Sequence, residues 1–193
     1  MKTIYILLTK TSTMISKMIR AVTHDEYTHV SIALDKELHE LYSFARIHSC
    51  TPLPAGLVQE NLQTEVYARN GKSKCALYQM IVTDEQFDFI QTTIRSMMDL
   101  KDEYHYSVLG LLLCKLDFVH DRHSHMFCSQ FVSKLLEDSG AVTLPKPSSL
   151  MHPIDFTRIT KLHCCYRGTI HGCIAWHEHS DDVPRLSSTS FAR

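Results

Sequence analysis

The chain has 193 residues, 44% of them hydrophobic and 21% charged, with a formal net charge of −1. That length suits one domain with a buried core, and the composition is that of a globular protein. A near-zero charge without a basic run gives no footprint for nucleic acid, and seven irregularly spaced cysteines argue against a secreted disulfide framework.

Ile4 to Thr9 reads as a first buried strand, too brief for a signal-peptide core. Ser12 or Thr13 can cap a helix carrying Met14, Ile15, Met18, Ile19 and Val22. Thr28 to Asp35 alternates as a strand, with Val30, Ile32 and Leu34 on one face and His29, Ser31 and Ala33 on the other. Glu40 to Ala45 returns as a second strand, with the small Ser43 and Ala45 alternating against Tyr42 and Phe44. The small residues of the two strands form a patch that a helix can approach closely. Arg46 to Asn61, with Pro52, Pro54 and Gly56, reads as a long loop.

Leu62 to Arg69 and Cys75 to Val82 read as further strands around an Asn70-Gly71 hairpin signal. Thr83 and Gln86 fit a capping box that opens a helix to about Leu100. Tyr106 to Leu116 reads as a buried helix, too short to cross a membrane. A helix follows Cys128 and stops at Ser139-Gly140. Pro153 can start a short helix, and His163 to Gly168 a late strand. The order is that of an α+β domain over residues 1–179, with a disordered tail at 180–193. The expected location is reducing and cytoplasmic.

The stretch richest in chemistry is Phe127-Cys128-Ser129-Gln130-Phe131-Val132-Ser133-Lys134-Leu135-Leu136. It puts a cysteine in the first turn of an amphipathic helix. The N–H groups and dipole at that end favour a thiolate and can hold a developing oxyanion. The plain alternative is a small, inert core residue. A thiolate nucleophile needs an imidazole as base and later acid. His29, at the edge of the small-residue patch, can reach the helix N-terminus. A third group should hold the other ring nitrogen. Ser43 lies on the matching face, and Glu40, Gln59 and Glu60 are the alternatives. Tyr27 and Gln130 are the side-chain candidates beside the oxyanion, with the Cys128 N–H as its main donor.

Tyr27-Thr28-His29-Val30-Ser31-Ile32-Ala33-Leu34-Asp35, Leu41-Tyr42-Ser43-Phe44 and Phe127-Cys128-Ser129-Gln130-Phe131-Val132, in that order, resemble the permuted NlpC-type papain-like cysteine hydrolases of the YiiX/YebB-like branch. The resemblance runs from about Ile4 to Ile159, through the Leu144-Pro145-Lys146-Pro147 loop. It implies a papain-like fold, with an antiparallel sheet or small barrel against the cysteine helix. It implies Cys128 as nucleophile and His29 as base. Ser43 stands about where that family carries a polar orienting residue.

The histidines His120, His123 and His125 read as a solvated loop rather than a metal site. Cys164, Cys165, His171, Cys173, His177 and His179 match no common zinc spacing. No cofactor and no metal are expected. The expected activity is cleavage of an amide, peptide-type or ester bond through an acyl-enzyme. The expected substrate is a small peptide, amide or acyl-lipid. Acyl transfer or phospholipase chemistry on the same fold, and a catalytically weak binding module, are the alternatives.

Overall fold

The structure, a computed structural model, describes residues 1–10, 25–46, 55–62, 71–119 and 124–180. Eight strands are β1 (Lys2–Thr9), β2 (His29–Ala33), β3 (Leu41–Arg46), β4 (Ala55–Glu60), β5 (Lys74–Val82), β6 (His105–Tyr106), β7 (His125–Met126) and β8 (His163–Thr169). Among the described residues four α-helices are α1 (Asp84–Asp99), α2 (Val108–Lys115), α3 (Cys128–Asp138) and α4 (Ile170–Ser180). The strands form one sheet in the order β7-β6-β4-β3-β2-β1-β5-β8. Every neighbouring pair is antiparallel except β6 and β7, which run parallel. The class is therefore α+β with a mixed sheet. Among the described residues its edges, β7 and β8, do not pair, so the sheet is open and not a closed barrel.

Period-two alternation gives the sheet two apolar faces. Ile6, Leu8, Val30, Ile32 and Phe44 share the larger core with Phe87, Ile90 and Ile94 of α1 and Phe131, Val132 and Leu135 of α3. The Phe44 and Phe131 rings lie 5.3 Å apart, tilted at 55°. Each fully buried side chain of this kind contributes about 1.5–3 kcal/mol. Leu7, Ala33, Leu41 and Leu77 face the other way, onto Ile170 and Cys173 of α4. The cysteine helix thus packs on the large residues of β2 and β3. The small-residue patch, expected to receive it, lies on the opposite face.

The capping box at α1 is present in both directions. The Gln86 N–H donates to Thr83 Oγ1 at 3.2 Å, and the Thr83 N–H donates to Gln86 Oε1 at 3.1 Å. α3 stops as its sequence indicates, with Gly140 at φ 69°.

Two further expectations need correction. The segment read as one long loop contains β4, which pairs with β3 along its length; this pairing outweighs the local turn signals. The helix read as buried is half exposed. α2 buries Leu111 and Cys114 against Phe127, while Leu109 and Leu112 stand 53% and 51% exposed. A helix that the sequence does not announce, α4, follows β8 directly and ends at Ser180. The expected helix after Ser12, the strand at 62–69 apart from Leu62, and most of the tail lie outside the described residues. Among the described residues no helix is long and apolar enough to cross a membrane.

One irregularity positions the candidate site. β1 pairs with β2 over all of β2, and β3 pairs with β4 from end to end. β2 and β3, however, pair only at Ile32 with Tyr42 and Ala33 with Leu41. The start of β2 and the end of β3 therefore separate, and His29, Ser31 and Ser43 flank the opening.

Candidate active site

Cys128 is the first residue of α3 and is 2% exposed. The short parallel pair β6–β7 fixes the approach to this helix. The His105 N–H donates to Ser124 C=O at 2.8 Å, and the Ser107 N–H donates to Met126 C=O at 2.9 Å. The N-cap residue is Phe127, in extended conformation, and its side chain caps nothing. The side chain that most helices use to satisfy first-turn N–H groups is thus replaced by an apolar ring. That arrangement suits a helix end that must hold negative charge from elsewhere.

His29 is the first residue of β2. Its Nε2 lies 2.7 Å from Glu60 Oε1, with 12% of the His29 side chain and 6% of the Glu60 side chain exposed. The ring also hydrogen-bonds the Cys128 side chain. The imidazole therefore bridges a thiol at a helix N-terminus and a buried carboxylate. Burial alone would lower the imidazole pKa, but Glu60 and the Cys128 contact outweigh it and raise it to about 10.

A buried carboxylate is costly unless its lone pairs are met. The Ser31 hydroxyl donates to Glu60 Oε1 at 3.2 Å, and the Ser43 hydroxyl donates to the same oxygen. Ser31 Oγ also lies 3.3 Å from His29 Nε2. The separation of β2 from β3 makes room for this cluster, and two serines and one carboxylate fill it.

Of the four candidates for the third position, Glu60 comes to the imidazole. Ser43, the first choice from sequence, is wholly buried beside it and bonds to the carboxylate. Gln59 points to the opposite side of β4 and donates to His39 C=O at 3.0 Å. Glu40 lies at the hairpin turn, where its N–H donates to Asp35 Oδ1 at 2.7 Å. Gln130 is fully buried in the first turn of α3. Tyr27 is also buried, and its hydroxyl has no hydrogen-bond partner among the described residues. Burial, then Glu26, push its pKa up to about 12; Arg167, Tyr78 and Cys75 are its other charged or titratable neighbours.

Tyr106 was missed by the sequence reading, which placed it inside a helix. Ser107 caps α2 by accepting from the Gly110 N–H at 2.9 Å. That cap leaves Tyr106 on β6, in register with Met126, two residues before Cys128. Burial chiefly, and Cys128 next, raise the pKa of its phenol. Tyr106 therefore keeps its proton near the thiol. A serine just before an apolar run, the usual N-cap residue, was the available signal for this boundary.

A second thiol–imidazole contact offers a comparison. Cys114 Sγ lies 3.7 Å from His152 Nε2. Burial leads in both shifts, pushing the Cys114 thiol up to about 11 and the His152 pKa down. Both groups are neutral at neutral pH, so this pair has no activated thiolate. His29 differs because Glu60 backs it. Among the described residues no three His, Cys, Asp or Glu side chains converge as a metal site. His120 and His123 lie outside those residues. No protein-family model matches the chain, and no curated protein matches it significantly.

Proposed function

We propose that this chain is a cysteine hydrolase that cleaves an amide or ester bond through an acyl-enzyme. The observation that carries this reading is the line Cys128–His29–Glu60. Cys128 attacks the carbonyl as thiolate, with its proton on His29. The Cys128 N–H holds the oxyanion, with the Tyr106 phenol, which keeps its proton beside Cys128, as a second donor. The imidazolium then protonates the leaving amine or alcohol. In the second half, His29 takes a proton from water, and the hydroxide so formed attacks the thioester. The carboxylic acid leaves and the thiol is restored. Glu60 fixes the ring and stabilises its charged form throughout.

The order of parts, a histidine strand before the cysteine helix, supports a permuted papain-like, NlpC-type arrangement. The carboxylate behind His29 weakens the case for a binding module that has lost catalysis. Acyl transfer to an acceptor other than water is the second reading. It is favoured by a cavity of about 660 Å³ between α1 and α3, where Phe89, Met97, Met126, Phe131 and Leu135 give an apolar wall and Glu85, Asp88, Lys134 and Asp138 a charged one. That volume is in the range that holds small ligands or acyl chains.

Brief incubation with a p-nitrophenyl ester, acid quenching and peptide mapping test the proposal. The expected result is one acyl group on the Cys128 peptide, removed by water in the hydrolase reading. Acyl transfer predicts a thioester that persists until an amine or alcohol is added. Acylation spread over other thiols, with none at Cys128, would contradict both.

A further inference from the structure

Six cysteines lie among the described residues, all as free thiols. Two of them, far from the candidate site in sequence, touch each other. Cys75 is on β5 and Cys173 is on α4, and they are 0% and 1% exposed within the apolar cluster beneath α4. Backbone bonds set their spacing. The Ile170 N–H donates to Ser73 C=O at 3.1 Å, and the His171 N–H donates to Gly71 C=O at 3.0 Å. These bonds seat the first turn of α4 over the lead-in to β5. Two residues further along the two elements stand Cys173 and Cys75, and their side chains hydrogen-bond each other. That contact, and burial after it, raise the pKa of the Cys75 thiol. While α4 stays docked, Cys75 keeps its proton and both sulfurs are shielded from solvent.

We propose that Cys75 and Cys173 are an intrachain cross-linking site, where a low-molecular-weight disulfide such as oxidised glutathione joins α4 to β5. α4 follows β8, an edge strand with no buried residue, and is therefore suited to local opening. On opening, Cys173 gives its proton to solvent and its thiolate attacks one glutathione sulfur. The glutathione disulfide bond breaks and one glutathione thiolate leaves. As α4 redocks, Cys75 loses its proton and its thiolate attacks the Cys173 sulfur, expelling the second glutathione. Two protein thiols are oxidised by two electrons, and one glutathione disulfide is reduced to two glutathione molecules. The cross-link closes a long loop of chain, the case in which a disulfide restricts the unfolded state most. It does not depend on the chemistry assigned to Cys128.

The test equilibrates the whole chain with oxidised glutathione, blocks free thiols under denaturing conditions and maps peptides without reduction. The expected product links the Cys75 and Cys173 peptides, lowers the intact mass by about 2 Da and raises the melting temperature by roughly 5–10 °C. Dithiothreitol reverses both changes, and Cys173→Ala treated alike shows neither. Cys75 and Cys173 both recovered as blocked free thiols would overturn the proposal. So would a stable glutathione adduct at either, or a link that joins other cysteines instead.

Discussion

Replacing Cys128 with serine is expected to lower turnover of an activated ester by roughly 10⁴-fold or more. The side chain is buried in the first turn of α3, and serine nearly matches it in size. The change therefore removes the nucleophile with little effect on packing. An alcohol is far less acidic than a thiol, so the His29 imidazole cannot hold its proton in the resting site. Cys114→Ser is the matched control, because that thiol also contacts a histidine. Its turnover should stay within a few-fold of the parent. Steady-state rates of the two variants, with circular dichroism to confirm folding, check the contrast. Equal losses in both would indicate damage to the fold instead of removal of a nucleophile.

Glu60→Gln is expected to lower turnover by roughly 10²–10⁴-fold and to change its pH profile. Glutamine keeps the shape of the side chain and an oxygen that can still accept from Ser31 and Ser43. What it removes is the charge that, with the Cys128 contact, outweighs burial at His29. In the parent protein the imidazolium persists until pH approaches about 10, so the alkaline limb of kcat/KM should fall there. In the variant, burial is opposed by the Cys128 contact alone, and that limb should move to lower pH. Stability follows the same logic. A histidine pKa raised in the folded state adds stability that is fully present below the unfolded value, about 6.5. This contribution is lost as pH rises through about 10. The parent should therefore lose stability to urea between about pH 6.5 and 10, and Glu60→Gln should lose much less. Parallel slopes in the two proteins would remove Glu60 from its assigned role.

The elements with strong local patterns were legible in the sequence. β2 alternates, α3 carries one apolar stripe, and α1 opens on a capping box; each keeps its assigned type. β4 was hidden because Pro52, Pro54 and Gly56 speak for a loop, while its strand character comes from pairing with β3. The third group of the site was hidden with it. Glu60 reaches His29 because its register places it opposite Leu41, on the face that carries Ser43. No spacing along the chain gives that relation between strands. α2 misled in the other direction, since apolar residues on every side read as buried whether or not a partner covers them. α4 went unseen because its glycine, histidines and cysteine carry little helical preference of their own. Cys128 and His29 were legible because the helix and strand bearing them were. Their meeting depends on the separation of β2 from β3, which is tertiary.

The most direct test of the central claim is the rate at which iodoacetamide alkylates Cys128 as a function of pH, in the parent and in His29→Ala. Peptide mapping separates Cys128 from the other thiols. The thiol–imidazole–carboxylate line predicts rapid alkylation of Cys128 below neutral pH in the parent, and loss of that acid-side reactivity in His29→Ala. A Cys128 that reacts only as pH approaches the range of an ordinary thiol, about 8.5, with and without His29, would contradict it.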